Sequence, residues 1–96
     1  MTKVFAIHPG EILKEEFMEP LSLTAYRLAK ELHVPAPRVN DIVRGRRAIT
    51  ADTDLRLARY FNMSEGFFIG LQTDYELMER KRAIGDKLKT IRPRAA

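Results

Sequence analysis

The chain has 96 residues, which fits one small domain and leaves no room for a cofactor domain beside a substrate domain. It contains no cysteine, so disulfides, thiolate metal sites and cysteine nucleophiles are excluded. Seventeen Lys and Arg stand against thirteen Asp and Glu, a net +4, and the 31% charged and 45% apolar shares are those of an ordinary globular chain.

The first ten residues are broken by Lys3, His8 and Pro9 and read as no signal peptide. No apolar run approaches the roughly 18 residues a membrane span needs, so the expected location is cytoplasmic. From Pro9 a helix is expected, with proline at the first position, Leu13 and Phe17 paired on an apolar face beside Ile12, and Pro20 at its end. Thr24 is a natural N-cap for a second helix to Leu32 that buries Leu28, Ala29 and Leu32. His33, Val34 and Pro35 form a short break, and a third helix runs to Arg44, stopped by Gly45. Thr50 is expected to cap a fourth helix with Leu55, Ala58 and Phe61 near one face. Ser64 is expected to open a fifth, with Phe67, Leu71, Tyr75 and Met78 at helical spacing. Strand alternation is nearly absent, and the expected fold is all-α with five helices. Residues 1–85 form the domain, and the basic segment 86–96 is expected to be a frayed tail.

Charge is distributed unevenly along these elements. Residues 1–26 carry −2, residues 27–59 carry +4, residues 60–78 carry −3 and the last eighteen carry +5. Two basic blocks around an acidic one suggest a basic face, for which an anionic polymer is the natural partner.

The second and third helices, joined by about three residues, form a helix-turn-helix. Ala29 supplies the small residue such a crossing needs, and Leu28, Leu32 and Val34 answer to Val39 and Ile42. His33 stands where most such turns place glycine, and histidine is among the residues that tolerate a positive φ. On the third helix Val39, Ile42 and Val43 face inward, while Pro37, Asn40, Asp41 and Arg44 face outward with Arg38 flanking. Asn and Asp are poor choices for a merely solvated helix face. Asn40 suits an adenine edge, Arg44 and Arg38 a guanine, Asp41 a cytosine and Pro37 a thymine methyl. Ala36 is expected to cap this helix and Pro37 to begin it, leaving the Arg38 and Val39 N–H groups free for a phosphate. Arg46 and Arg47 beside Gly45, with Thr24, Tyr26 and Arg27 at the start of the second helix, are expected to grip flanking phosphates. A dimer surface is expected on the last helix at Leu71, Tyr75 and Met78, with the first helix as the alternative.

The stretches His8-Pro9-Gly10-Glu11-Ile12-Leu13, Leu28-Ala29-Lys30, Arg38-Val39-Asn40-Asp41-Ile42-Val43-Arg44-Gly45 and Ile49-Thr50-Ala51-Asp52-Thr53, with Leu55-Arg56-Leu57-Ala58-Arg59-Tyr60-Phe61, resemble the HigA (VapI-like) antitoxin family. This family belongs to the phage-repressor-like (XRE) helix-turn-helix class, and the resemblance covers roughly residues 8–78. Where the family usually has Phe-Trp-Leu-Asn-Leu-Gln, this chain has Phe67-Phe68-Ile69-Gly70-Leu71-Gln72. The resemblance implies the antitoxin of a type II toxin–antitoxin module: a dimer that binds its own promoter on double-stranded operator DNA, represses transcription and sequesters a HigB-like mRNA-cleaving toxin. It implies no cofactor. A stand-alone repressor would use the same DNA-reading residues; the acidic segment 60–78 leans toward the antitoxin, because it suits a basic toxin.

An enzyme is not expected. Ser22 and Ser64 lack a glycine elbow, no H-E-x-x-H or P-loop is present, and Glu15 and Glu16 are adjacent and so diverge on a helix. His8 and His33, without cysteine, make a poor metal site.

Overall fold

The computed structural model describes residues 6–95. Met1–Phe5, including the Lys3 used above, and Ala96 of the basic tail lie outside the described residues. The described chain is helical throughout, as expected, with no strand among the described residues. The first helix, α1, opens at Pro9–Ile12, continues as a π-helical stretch over Leu13–Met18 and closes in a 3-10 turn at Glu19–Leu21. Helices α2 (Ala25–Leu32), α3 (Ala36–Val43), α4 (Ala51–Phe61) and α5 (Phe67–Leu88) follow.

Local chemistry accounts for most of the boundaries. His8 caps α1, its Nδ1 accepting from the Gly10 N–H at 2.9 Å. Thr24 caps α2, its hydroxyl oxygen accepting from the Arg27 N–H at 3.0 Å. His33 ends α2 in the left-handed conformation at φ 60°, so the expected histidine-for-glycine substitution holds. Pro20 does not stop α1 abruptly. It sits in the terminal 3-10 turn, where its missing N–H costs little, and the chain reverses one residue after Leu21, at Ser22 with φ 54°.

Two boundary expectations and one facing expectation are corrected. The N-cap of α3 is Pro35 rather than Ala36, because the half-buried Ala36 packs against the core and is drawn into the first turn. The Arg38 N–H is therefore bonded to the Pro35 carbonyl at 3.0 Å, and Val39 is 1% exposed, so neither is a free phosphate donor. Ser64 does not open α5. Its carbonyl closes a turn onto the Phe67 N–H, and the helix starts after Gly66, at φ 96°. Leu55 faces solvent, while Thr53, Asp54, Leu57 and Ala58 form the buried side of α4.

The core unites Leu13 and Met18 of α1, Leu28, Ala29 and Leu32 of α2, Val39 and Ile42 of α3, Leu57 of α4, and Phe68 of α5. Phe68, where the resemblance implies tryptophan, is fully buried and meets Phe17 edge-on at 5.0 Å and Phe61 at 6.2 Å. The phenylalanines fill the volume without a buried indole N–H that would need an acceptor. Gly10 is where α1 passes over α3: a Cβ there would lie 1.7 Å from the Ile42 carbonyl oxygen. Only hydrogen fits between those backbones, which is the physical content of the His-Pro-Gly-Glu opening.

Helix α5 continues past Gly85 to Leu88 and protrudes, giving overall dimensions of 50 × 32 × 23 Å. None of the described helices is long and apolar enough to cross a membrane.

Candidate nucleic-acid interface

Helices α2 and α3 cross through Leu28, Ala29, Val39 and Ile42, all buried to within 1%. That packing turns the opposite side of α3 outward. Pro37 and Arg44 are exposed, and Arg38, Asn40 and Asp41 are half-buried along its flanks. Thr24, Arg27 and the 67%-exposed Tyr26 lie at the start of α2. An open cleft of about 310 Å³ runs between the end of α1 and α3, lined by Lys14, Thr24, Asn40 and Arg44 among others. Of the expected residues, Thr24, Asn40 and Arg44 meet in this cleft, and Lys14 joins them, which no local sequence signal announces because it depends on how α1 crosses α3.

The loop after α3 is held from three sides. The Arg46 N–H donates to the Asp41 carbonyl at 2.8 Å. Gly45 takes φ 76°, and a Cβ built there would lie 3.8 Å from the His8 ring. The Ile49 N–H donates to Oε1 of the buried Gln72 at 2.8 Å, and Gln72 in turn donates to Glu76. Burial of the His8 imidazole lowers its pKa below the ordinary value, favouring the neutral ring that the Gly10 bond requires. Arg46 and Arg47 are thus presented on a braced loop rather than on a floppy connection.

Some of the expected cations have partners within the chain. Arg27 pairs with Glu31 at 2.9 Å, and Arg47 approaches Asp41 at 3.8 Å. Arg38 donates to Oδ2 of Asp52 at 2.6 Å, and the same oxygen accepts from Arg56 Nε at 2.9 Å. Arg56 and then Arg38 hold the Asp52 carboxyl below the usual carboxylate range. Of the expected cations, Arg44 and Arg46 form no ion pair among the described residues.

The expected dimer stripe divides. Leu71 is half-buried against the core, and Tyr75 stacks edge-on to His8 at 5.0 Å, so both serve this domain's own packing. Met78 is 36% exposed. Phe67, in the first turn, is 37% exposed, and further along α5 also offers Leu77 (64% exposed) and Leu88 (42%) to solvent, seven and four residues either side of half-buried Ile84. An i, i+7, i+11 spacing marks this stripe in the sequence, but periodicity does not say which of two stripes the core takes.

The helix-turn-helix geometry, with an outward polar row on the second of its two helices and arginines braced beside it, defines a helix-turn-helix DNA-binding domain. The helix-turn-helix family HTH_3 matches residues 14–68. Virulence-associated protein I of Dichelobacter nodosus is 56% identical over 72 residues, spanning 75% of this chain and 67% of the relative. Among solved structures, Pseudomonas aeruginosa antitoxin HigA with the higBA promoter is 43% identical with a TM-score of 0.89, covering 95% of this chain and all of that one. A HigA-family addiction module antidote protein from Coxiella burnetii is 41% identical with a TM-score of 0.89, over 95% of this chain and all of that one. The chain belongs to the helix-turn-helix family and, within it, to the HigA (VapI-like) antitoxins.

Proposed function

We propose that the chain is the antitoxin of a type II toxin–antitoxin module, which binds its own promoter as a dimer, represses it, and neutralises a HigB-like mRNA-cleaving toxin. The observation that carries this reading is the outward row of α3 beside a braced arginine loop, in a chain 43% identical to a HigA whose structure includes its promoter. Asn40, Asp41, Arg44 and Pro37 read base edges, with Arg38 at their flank. Thr24, Tyr26, Arg27, Arg46 and Arg47 set the register on phosphates. Two copies joined along α5, from Met78 outward over Leu77 and Leu88, bind half-sites about 34 Å apart. The acidic segment 60–78 offers the toxin a docking surface of opposite charge.

The test is purification of the tagged chain from cells carrying its gene with the native neighbours, followed by mass spectrometry and by binding to the upstream DNA. A stoichiometric small basic protein that arrests growth when expressed alone supports the antitoxin. A homodimer that binds the upstream DNA without such a companion is a stand-alone repressor, and the toxin half of the proposal fails.

A further inference from the structure

Arg38 lies on the flank of the recognition helix, and Asp52, fourteen residues away at the start of α4, holds its guanidinium. A single carboxylate oxygen accepts from both Arg38 and Arg56. Arg56 is itself fixed, because its Nη1 donates to the Leu32 carbonyl at 2.7 Å and the His33 carbonyl at 3.3 Å. Those carbonyls end α2 at the turn of the helix-turn-helix, where the left-handed His33 sits. The chain of contacts runs from the turn, through Arg56 and Asp52, to a side chain at the edge of the reading surface. No direct contact with DNA is needed for Asp52 or Arg56 to influence it.

We propose that Asp52, held by Arg56, is a positioning residue for DNA recognition: it presets the Arg38 guanidinium and restrains its attraction to phosphate at non-cognate sequence. A free arginine at this edge would swing to any phosphate within reach and strengthen binding to all DNA alike. Bound at Nη1, Arg38 keeps its remaining N–H donors for a partner in one fixed direction, and a fixed fork is what selects a bidentate base edge over a phosphate. Asp52 stands in the first turn of α4, where the helix dipole also favours the carboxylate, so the anchor stays charged at neutral pH. This inference rests on the DNA-binding reading above, but not on the toxin.

The test is a double-mutant cycle over Asp52→Asn and Arg38→Ala, with Asp52→Glu as a variant that keeps the charge and moves it by one methylene. Fluorescence anisotropy measures binding of the full chain to a duplex from immediately upstream of its coding sequence and to a shuffled duplex of the same composition, across a KCl series. Thermal melts set a temperature at which every variant is folded. Asp52→Asn is expected to tighten binding to the shuffled duplex roughly three- to tenfold, to steepen its salt dependence by about one unit, and to narrow the preference for the upstream duplex. In the Arg38→Ala background these changes should vanish. Asp52→Glu should weaken the upstream complex several-fold while leaving the shuffled one unchanged.

If Asp52→Asn acts equally with and without Arg38, Asp52 merely subtracts charge and the proposal is overturned. An Asp52→Glu variant indistinguishable from the wild type overturns the positioning role as well. Should the unaltered chain show no preference between the duplexes, the operator reading fails, and the cycle on shuffled DNA still reports whether Asp52 restrains Arg38.

Discussion

Replacing Gly10 with alanine tests the packing on which the DNA-reading surface rests. The added Cβ would lie 1.7 Å from the Ile42 carbonyl oxygen and 2.6 Å from its carbon, and real Cβ contacts essentially never fall below 3.0 Å. Helix α1 must therefore withdraw from α3 by roughly 1.3 Å, and the obstacle is backbone, which has no rotamer to change. Overpacking of this kind costs about 1–3 kcal/mol, and the unyielding backbone puts it at the upper end. Alanine's better helix propensity returns about 0.5–1 kcal/mol, leaving a net loss of about 2 kcal/mol. For a domain near this size that is a fall of roughly 10–15 °C in Tm. Gly85→Ala is the matched control, since its Cβ would meet nothing within 4 Å in the protruding part of α5. Circular-dichroism melts of the two variants should move in opposite directions, with Gly85→Ala at or slightly above the wild type. Because the clash falls at the end of the recognition helix, Gly10→Ala should also weaken operator binding at temperatures where it is folded. A Gly10→Ala variant that melts at or above the wild-type temperature would refute the close approach and the account of the His-Pro-Gly-Glu opening built on it.

Asp54 accepts from the Gly66 N–H at 2.7 Å and the Ile69 N–H at 2.8 Å, capping α5 from inside α4. Asp54→Ala should cost about 1–3 kcal/mol in urea unfolding, because the part-buried Gly66 and Ile69 N–H groups lose the acceptor of the buried Asp54, while Asn, which keeps one oxygen, should cost less. Since folding holds the His8 pKa below its ordinary 6.5, the unfolded chain binds the proton more readily. The His8 contribution is therefore complete above that value and declines as pH falls from it toward the lower folded value. Tm should drop over that interval, and His8→Asn, which can still cap α1, should flatten the profile; an unchanged slope in this variant would assign it to other groups. Arg44→Ala should cost about 1–3 kcal/mol of operator affinity and relax preference at one base pair. Arg46→Ala should weaken all sequences alike and make the salt slope shallower by about one unit, and a loss confined to one operator position would transfer Arg46 to base reading.

The sequence by itself determined what depends on neighbours within a few residues. Pro9 at the first position of α1, the cap at Thr24, the left-handed stop at His33 and the inward run Val39, Ile42 and Val43 are local, and each could be placed from spacing and residue type, whereas the His8 cap came only with the structure. From the same periodicity followed the outward row of Asn40, Asp41 and Arg44, because a helix that buries one stripe must present the other. Tertiary structure alone decided the polar contacts between distant elements. Asp54 on Gly66 and Ile69, Gln72 on Ile49, and Arg56 on Leu32 and His33 join residues 12 to 24 positions apart, and no helical repeat encodes such pairings. They also account for two of the corrected expectations. Helix α5 starts where Asp54 can reach it rather than at Ser64, and Leu55 is turned out because the buried face of α4 is the one that carries Asp54 and Leu57. The same limit applied to α5, whose two apolar stripes look alike in sequence. The Phe17, Phe61 and Phe68 cluster packs the first turn of α5 into the core, while Leu77 and Leu88 face water.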